Sequence, residues 1–172
     1  MDIYLFILRL VHILAGVFWA GGLFTLAMFI LPSINSSMPE GGKVMQRMMA
    51  GYHFPVYMLT AGGLTVLSGI LMYAKLSLGF SVQWIGSAHG ICLTIGGLAA
   101  IIAFFLGILI NKPRADKMGR IGKEIMQAGG KPNESQLTEM TRLRMGITQM
   151  TGYMAILILI AVIGMAVAKY VS

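Results

Sequence analysis

Four stretches of the chain contain no Asp, Glu, Lys or Arg: Leu10–Pro39, Met48–Ala74, Leu76–Asn111 and Gly146–Ala168. Each is longer than the ~20 residues a helix needs to cross a hydrocarbon core of ~30 Å. Apolar residues run continuously through them instead of alternating, which argues against a transmembrane β-barrel. The pattern predicts an all-α fold, an integral-membrane up-down-up-down four-helix bundle with both termini outside. The helices are expected at about 3–31, 48–74, 84–110 and 146–169, joined late in the chain by a helical hairpin at about 112–145. These elements fill the whole chain, 1–172, as a single transmembrane domain.

Turn and cap residues set the expected boundaries. Pro32, followed by Ser33, Asn35, Ser36, Ser37 and Pro39, is expected to stop the first helix. Lys43–Met49 should begin the second before it enters the membrane, and Pro55 should kink it. Lys75 ends that span, a short loop over Leu76–Gln83 follows, and Trp84 is an interfacial anchor for the third helix. The third is expected to continue through Arg114–Met126 and stop at Gly129-Gly130. Asn133 or Ser135 then caps the fourth, with Glu134 and Glu139 in its early turns. The chain opens Met1-Asp2 without a basic leader, and its first apolar run exceeds a signal-peptide core, so it is expected to be retained as a helix.

Composition agrees. The chain is 57% hydrophobic and 11% charged, with a mean hydropathy of +0.80, whereas soluble domains are about a quarter charged. The net charge of +7 is sorted by position. Lys112, Arg114, Lys117, Arg120, Lys123, Lys131, Arg142 and Arg144 lie between the third and fourth spans, and Lys43 and Arg47 between the first and second. Arg9, Lys75 and Lys169 are the basic residues of the opposite side. The positive-inside rule then makes the long third connection cytoplasmic, in a multi-pass protein of a bacterial-type inner (plasma) membrane. Aromatic and basic residues do not interleave as nucleic-acid binding would require, so the basic balance belongs to the bilayer.

Chemistry concentrates on three histidines, His12, His53 and His89, all in or at the apolar stretches. Ionisable groups at membrane depth are costly and normally face the bundle interior. His12 and His89 both lie in the outer half if the first and third helices run in the same direction, while His53 enters from the inner side. Two imidazoles on different helices suit the axial positions of a heme b. Arg9, one turn outward of His12, is placed to meet a propionate; Gly16, one turn inward, and Gly96 on the third helix would leave room for the ring. His53 would be a second ligand or a quinone-site group. The bland alternative is that small residues at four-residue spacing serve helix packing and that a buried histidine simply bonds a carbonyl.

A copper site is the competing reading, drawing on His12, His89, the single cysteine Cys92 and some of the fifteen methionines. Methionine is also a common flexible filler of apolar helices. One cysteine allows no intrachain disulfide, and the absence of C-x-x-C-H argues against covalently attached heme. None of Asp2, Glu40, Asp116, Glu124, Glu134 and Glu139 falls inside a span, which weighs against a proton pump or cation antiporter.

The stretch LVHILAGVFWAGGLF, Leu10–Phe24, resembles the first helix of small bacterial membrane proteins related to the copper resistance D-like proteins and to the HemJ-type protoporphyrinogen oxidases, which share a His…Trp-x-Gly-Leu pattern. Leu67-Ser68-Gly69-Ile70-Leu71 and Met165–Tyr170 resemble an uncharacterised branch of the same group. The resemblance implies a four-helix bundle that handles heme b or copper, with His12 matching the family histidine. It does not extend to the membrane lysine of the HemJ type, because Lys75 ends the second helix. Taken together, the residues and the resemblance suggest a membrane b-type cytochrome or heme-binding electron-transfer subunit, with His12 and His89 as iron ligands. Copper binding or transport and a cofactor-free structural subunit are the alternatives. An enzymatic role would be that of a heme-dependent membrane oxidoreductase. Its partners would be a quinone, further copies of the chain or a larger respiratory complex.

Overall fold

The computed structural model describes residues 2–38 and 40–171, with the backbone alone for residue 50; Met1, Pro39 and Ser172, and with Pro39 part of the expected first stop, lie outside the described residues. Among those residues the fold is all-helical. In chain order the α-helical segments are α1 (Ile3–Thr25), α2 (Leu31–Ser36), α3 (Glu40–Gln46), α4 (Phe54–Leu76), α5 (Val82–Ile85), α6 (Ala88–Leu106), α7 (Lys112–Gln127) and α8 (Glu134–Ala168). Four continuous helices are long and apolar enough to cross a membrane: Ile3–Ser36, Phe54–Leu76, Ala88–Gln127 and Glu134–Ala168. Phe18, Leu67, Ile95 and Ile163 on their outward faces are exposed. That apolar exterior is what lipid contact requires and water would penalise, so the chain is a multi-pass membrane protein.

The end of the first helix and the start of the second differ from the sequence expectation, both at prolines. Three π-helical turns, Leu26–Ile30, Arg47–Gly51 and Gly107–Asn111, each precede a proline: Pro32, Pro55 and Pro113. Proline cannot donate to the preceding turn and its ring crowds that turn's carbonyl. A π turn widens the helix at that point and lets it continue. The first helix therefore passes Pro32 and ends at Ser36, and the third runs unbroken from Ala88 to Gln127. Pro55 does not kink a continuous second helix. The chain breaks ahead of it, with His53 in the left-handed region at φ 53°, and Pro55 sits in the first turn of α4.

Other signals act as read. Gly129 and Gly130, at φ 93° and 80°, end α7 where a side chain would be strained. Asn133 caps α8 in a reciprocal box with Gln136. The fourth span and the second arm of the hairpin are thus one 35-residue helix.

The helices associate in two close pairs, α1 with α4 and α6 with α8. Small residues let backbones approach: a Cβ on Gly96 would lie 3.0 Å from the Ala161 carbonyl oxygen, and one on Gly164 would lie 2.9 Å from that of Cys92. The pairs meet around Trp19, Leu23, Ala61, Ala100, Ala103 and Ile158, where the Trp19 and Phe104 rings stand edge to face at 6.1 Å. A second cluster of Leu26, Leu31, Ile34 and Met45 fills the basic end.

Candidate functional site

His12 projects from α1 into the seam with α4. Its Nδ1 lies 2.8 Å from the carbonyl oxygen of Thr65. A carbonyl only accepts, so in the neutral ring Nδ1 carries the proton and Nε2 presents its lone pair. Among the described residues Nε2 has no hydrogen-bond partner. The hydroxyl of Ser68 lies 3.4 Å from the same Nδ1 and donates to the Leu64 and Thr65 carbonyls at 2.6 and 3.1 Å. The ring lies against Gly69, where a Cβ would come within 2.9 Å of Cε1. Nδ1 is therefore tied, the tautomer fixed and Nε2 left free, the state in which an imidazole ligates a metal.

His89, at the start of α6, repeats the arrangement elsewhere. Its Nδ1 donates to the carbonyl of Ala168 at 2.8 Å, satisfying an acceptor in the last turn of α8 that no intrahelical N–H reaches. Trp84 stands edge-on to it at 5.7 Å and to Tyr73 at 5.3 Å, and the Tyr73 hydroxyl bonds that of Thr94 at 2.6 Å. This aromatic cluster closes one end of the bundle.

The structure does not bring the two rings together. Along the α1–α4 seam Gly22 meets Met58, Trp19 meets Gly62, Gly16 meets Thr65 and His12 meets Gly69. Across to α6, Phe104 meets Trp19 and Gly62, and Tyr73 meets Thr94. His12 is thus level with residues near Gly97–Ala99, and His89 lies eight to ten residues further out, ~12–15 Å at ~1.5 Å per residue.

No protein family, curated protein or solved structure matches this chain. The site therefore has to be judged on its own geometry. A heme clamped between His12 and His89 does not fit it. Two axial ligands must reach one iron from opposite faces of one ring, whereas these imidazoles occupy different helix pairs and different levels. The expected slot is also filled: the space beside Gly16 holds the Thr65 methyl at 3.5 Å, and that beside Gly96 holds the α8 backbone. Donor chemistry at each ring separately does fit. Room exists beside Gly97, where a Cβ would meet no atom within 4 Å. Arg9 is exposed at the lipid-facing edge, and His53 is exposed at the far end, remote from both other histidines. Cys92 is half-buried, and among the described residues no group of three His, Cys, Asp or Glu side chains is placed to hold a metal.

Sequence reasoning missed the partners of His12, namely Thr65, Ser68 and Gly69. It also missed a polar layer nearer the basic end. There Asn35 donates to the Thr148 hydroxyl at 3.2 Å, and Asn111 donates to that of Thr151 at 3.0 Å. These bonds tie the first and third long helices to α8. The signal was present: two asparagines interrupt apolar runs, and Thr148 and Thr151, three apart, share one helix face.

Proposed function

We propose that the protein is a membrane subunit that carries a redox metal group on the Nε2 of His12 and takes part in electron transfer. One observation carries this reading: within a membrane-spanning stretch, the His12 imidazole has Nδ1 pinned to a backbone carbonyl and, among the described residues, Nε2 left without a partner. Heme b is the first group considered, bound by His12 alone. Copper is the second, favoured by the filling at Gly16 and Gly96, which leaves more room for an ion than for a macrocycle. The likeness of helix 1 to the copper resistance D-like and HemJ-type proteins accords with either. In the same reading the bundle runs up-down-up-down with both termini outside, and the basic connection through α7 lies in the cytoplasm of a bacterial-type cell.

The test is the oxidised and dithionite-reduced visible spectrum of detergent-purified protein from heme- and copper-supplied cells, with metal analysis on the same sample. A Soret band with about one iron per chain, lost in folded His12→Ala and kept in His89→Ala, is the expected result. A colourless sample with copper that depends on His12 selects the second group. A metal-free sample, or full metal content in folded His12→Ala, overturns the proposal and leaves His12 as a tie between helices.

A further inference from the structure

We propose that Arg144 anchors a phosphate-bearing anion, supplied by a phospholipid headgroup, at the basic end of the bundle. The argument begins with an unpaired charge. Arg144 lies on α8, its side chain largely shielded, and its Nε and Nη1 are buried with no hydrogen-bond partner. A guanidinium removed from water is costly unless it meets a counter-charge. The acidic groups nearby are taken: Asp116 pairs with Lys112 at 2.7 Å, and Glu139 pairs with Lys117 at 2.6 Å and with Arg142 at 3.5 Å. Among the described residues, no carboxylate pairs with Arg144.

The surroundings give the site its chemistry. Arg144 precedes Thr148 by one turn on α8, and Thr148 holds the amide of Asn35 from α2. Asn35 Oδ1 is itself buried and without a donor. The α8 face therefore carries two unpaired guanidinium nitrogens, and the α2 residue held a turn away on it brings an unpaired acceptor. An anionic phosphodiester takes Nη2 together with one of the two orphaned nitrogens as a bidentate fork, and a hydroxyl on the same headgroup donates to the Asn35 amide oxygen. Nη2 is not among the buried orphaned atoms, so the group is reached from that edge, and a rotation of the side chain then presents the fork. Lys43, Arg47, Arg114 and Lys117 lie at this end of the molecule and raise the local concentration of anions. Basic recesses between membrane helices bind phospholipid headgroups in this way.

The experiment measures phospholipid retained by the purified full chain, by native mass spectrometry, after exchange into nanodiscs of phosphatidylcholine with or without phosphatidylglycerol. Wild type and the exposed neighbour variant Arg142→Gln should each keep one phosphatidylglycerol through detergent extraction. Arg144→Gln should weaken that retention at least tenfold, and Arg144→Lys, which keeps the charge but not the fork, should fall between. Millimolar inorganic phosphate added to lipid-stripped protein separates the sources. A rise in melting temperature in wild type but not in Arg144→Lys would support the phosphate chemistry with a free anion as donor. Equal retention by wild type and folded Arg144→Lys and Arg144→Gln, or an equal loss in Arg142→Gln, would overturn the proposal in favour of a diffuse basic surface.

Discussion

Replacing Gly69 by alanine tests the His12 seam at a single methyl. The new Cβ would lie 2.9 Å from His12 Cε1 and 3.2 Å from Nδ1. To restore ordinary contact at 3.4 Å the ring must retreat by about 0.5 Å. A retreat of that size stretches the 2.8 Å bond to Thr65 toward the limit of hydrogen bonding. Overpacking costs about 1–3 kcal/mol, and a weakened hydrogen bond adds about 0.5–1 kcal/mol. The gain in helix propensity from Gly to Ala offsets up to ~1 kcal/mol. Gly69→Ala should therefore destabilise the protein by about 1–2 kcal/mol.

In a His12→Ala background the obstructing ring is gone, and only the propensity gain remains. There the same substitution should be neutral or stabilising by up to ~1 kcal/mol. The coupling between the two positions is then about 2 kcal/mol, well above the ~0.5 kcal/mol scatter of independent sites. The assay is a double-mutant cycle on detergent-solubilised protein, with helix content followed through a denaturant titration. If Gly69→Ala costs the same with and without His12, the ring does not lie against Gly69 and the geometry argued for Nε2 fails with it.

Two further outcomes follow from the same contacts. Gly164→Ala places a methyl 2.9 Å from the Cys92 carbonyl oxygen, and because a backbone atom cannot swing aside, α6 and α8 must separate; a loss of about 2–3 kcal/mol is expected in the same titration, and an unchanged midpoint would refute the close approach. His89→Ala removes the donor to the Ala168 carbonyl, so the last turn of α8 should lose about 1 kcal/mol of protection in amide hydrogen exchange, whereas unaltered exchange there would show that the cap is dispensable.

The long helices were legible because lipid leaves the backbone little choice: an uncharged run of this length must satisfy its own N–H and C=O groups. The end of α7 at Gly129-Gly130 and the Asn133 cap were legible because they rest on local chemistry. The prolines misled for the reason that made the spans easy. In water Pro32 and its polar followers would end a helix, but near lipid an unpaired backbone costs more than a π turn, so the helix distorts and goes on. The candidate site was half legible. A histidine in an apolar run is visible in sequence, but its level depends on which residues meet across a seam, and distance from a span's end does not supply that register. Gly16 and Gly96 looked like openings because a missing side chain is ambiguous: it leaves space for a ligand or for a neighbouring helix, and here the Thr65 methyl and the α8 backbone take it. The Asn–Thr ties were overlooked because neutral amides and hydroxyls carry no charge to mark them.

The order of layers along the bundle bears on what the protein can move. The His12 seam lies level with Ala161 on α8, and the asparagine layer is bound to Thr151. Ten residues of α8 separate them, ~15 Å of helix. The core cluster between them comprises Trp19, Leu23, Ala61, Ala99, Ala100, Ala103, Met154 and Ile158, with no ionisable side chain among them. A proton or metal ion crossing this layer would have to shed its solvation without a fixed partner, at the cost that keeps such groups out of apolar interiors. An electron leaving a fixed group carries no solvated atom with it. The layering thus weighs against a transport path through the bundle; under the function proposed above, the His12 site exchanges electrons at its own level. On that argument, polar substitutions of Ala100 or Ala103 should damage packing without opening a conductance, and proton leak measured in liposomes should stay at the lipid background.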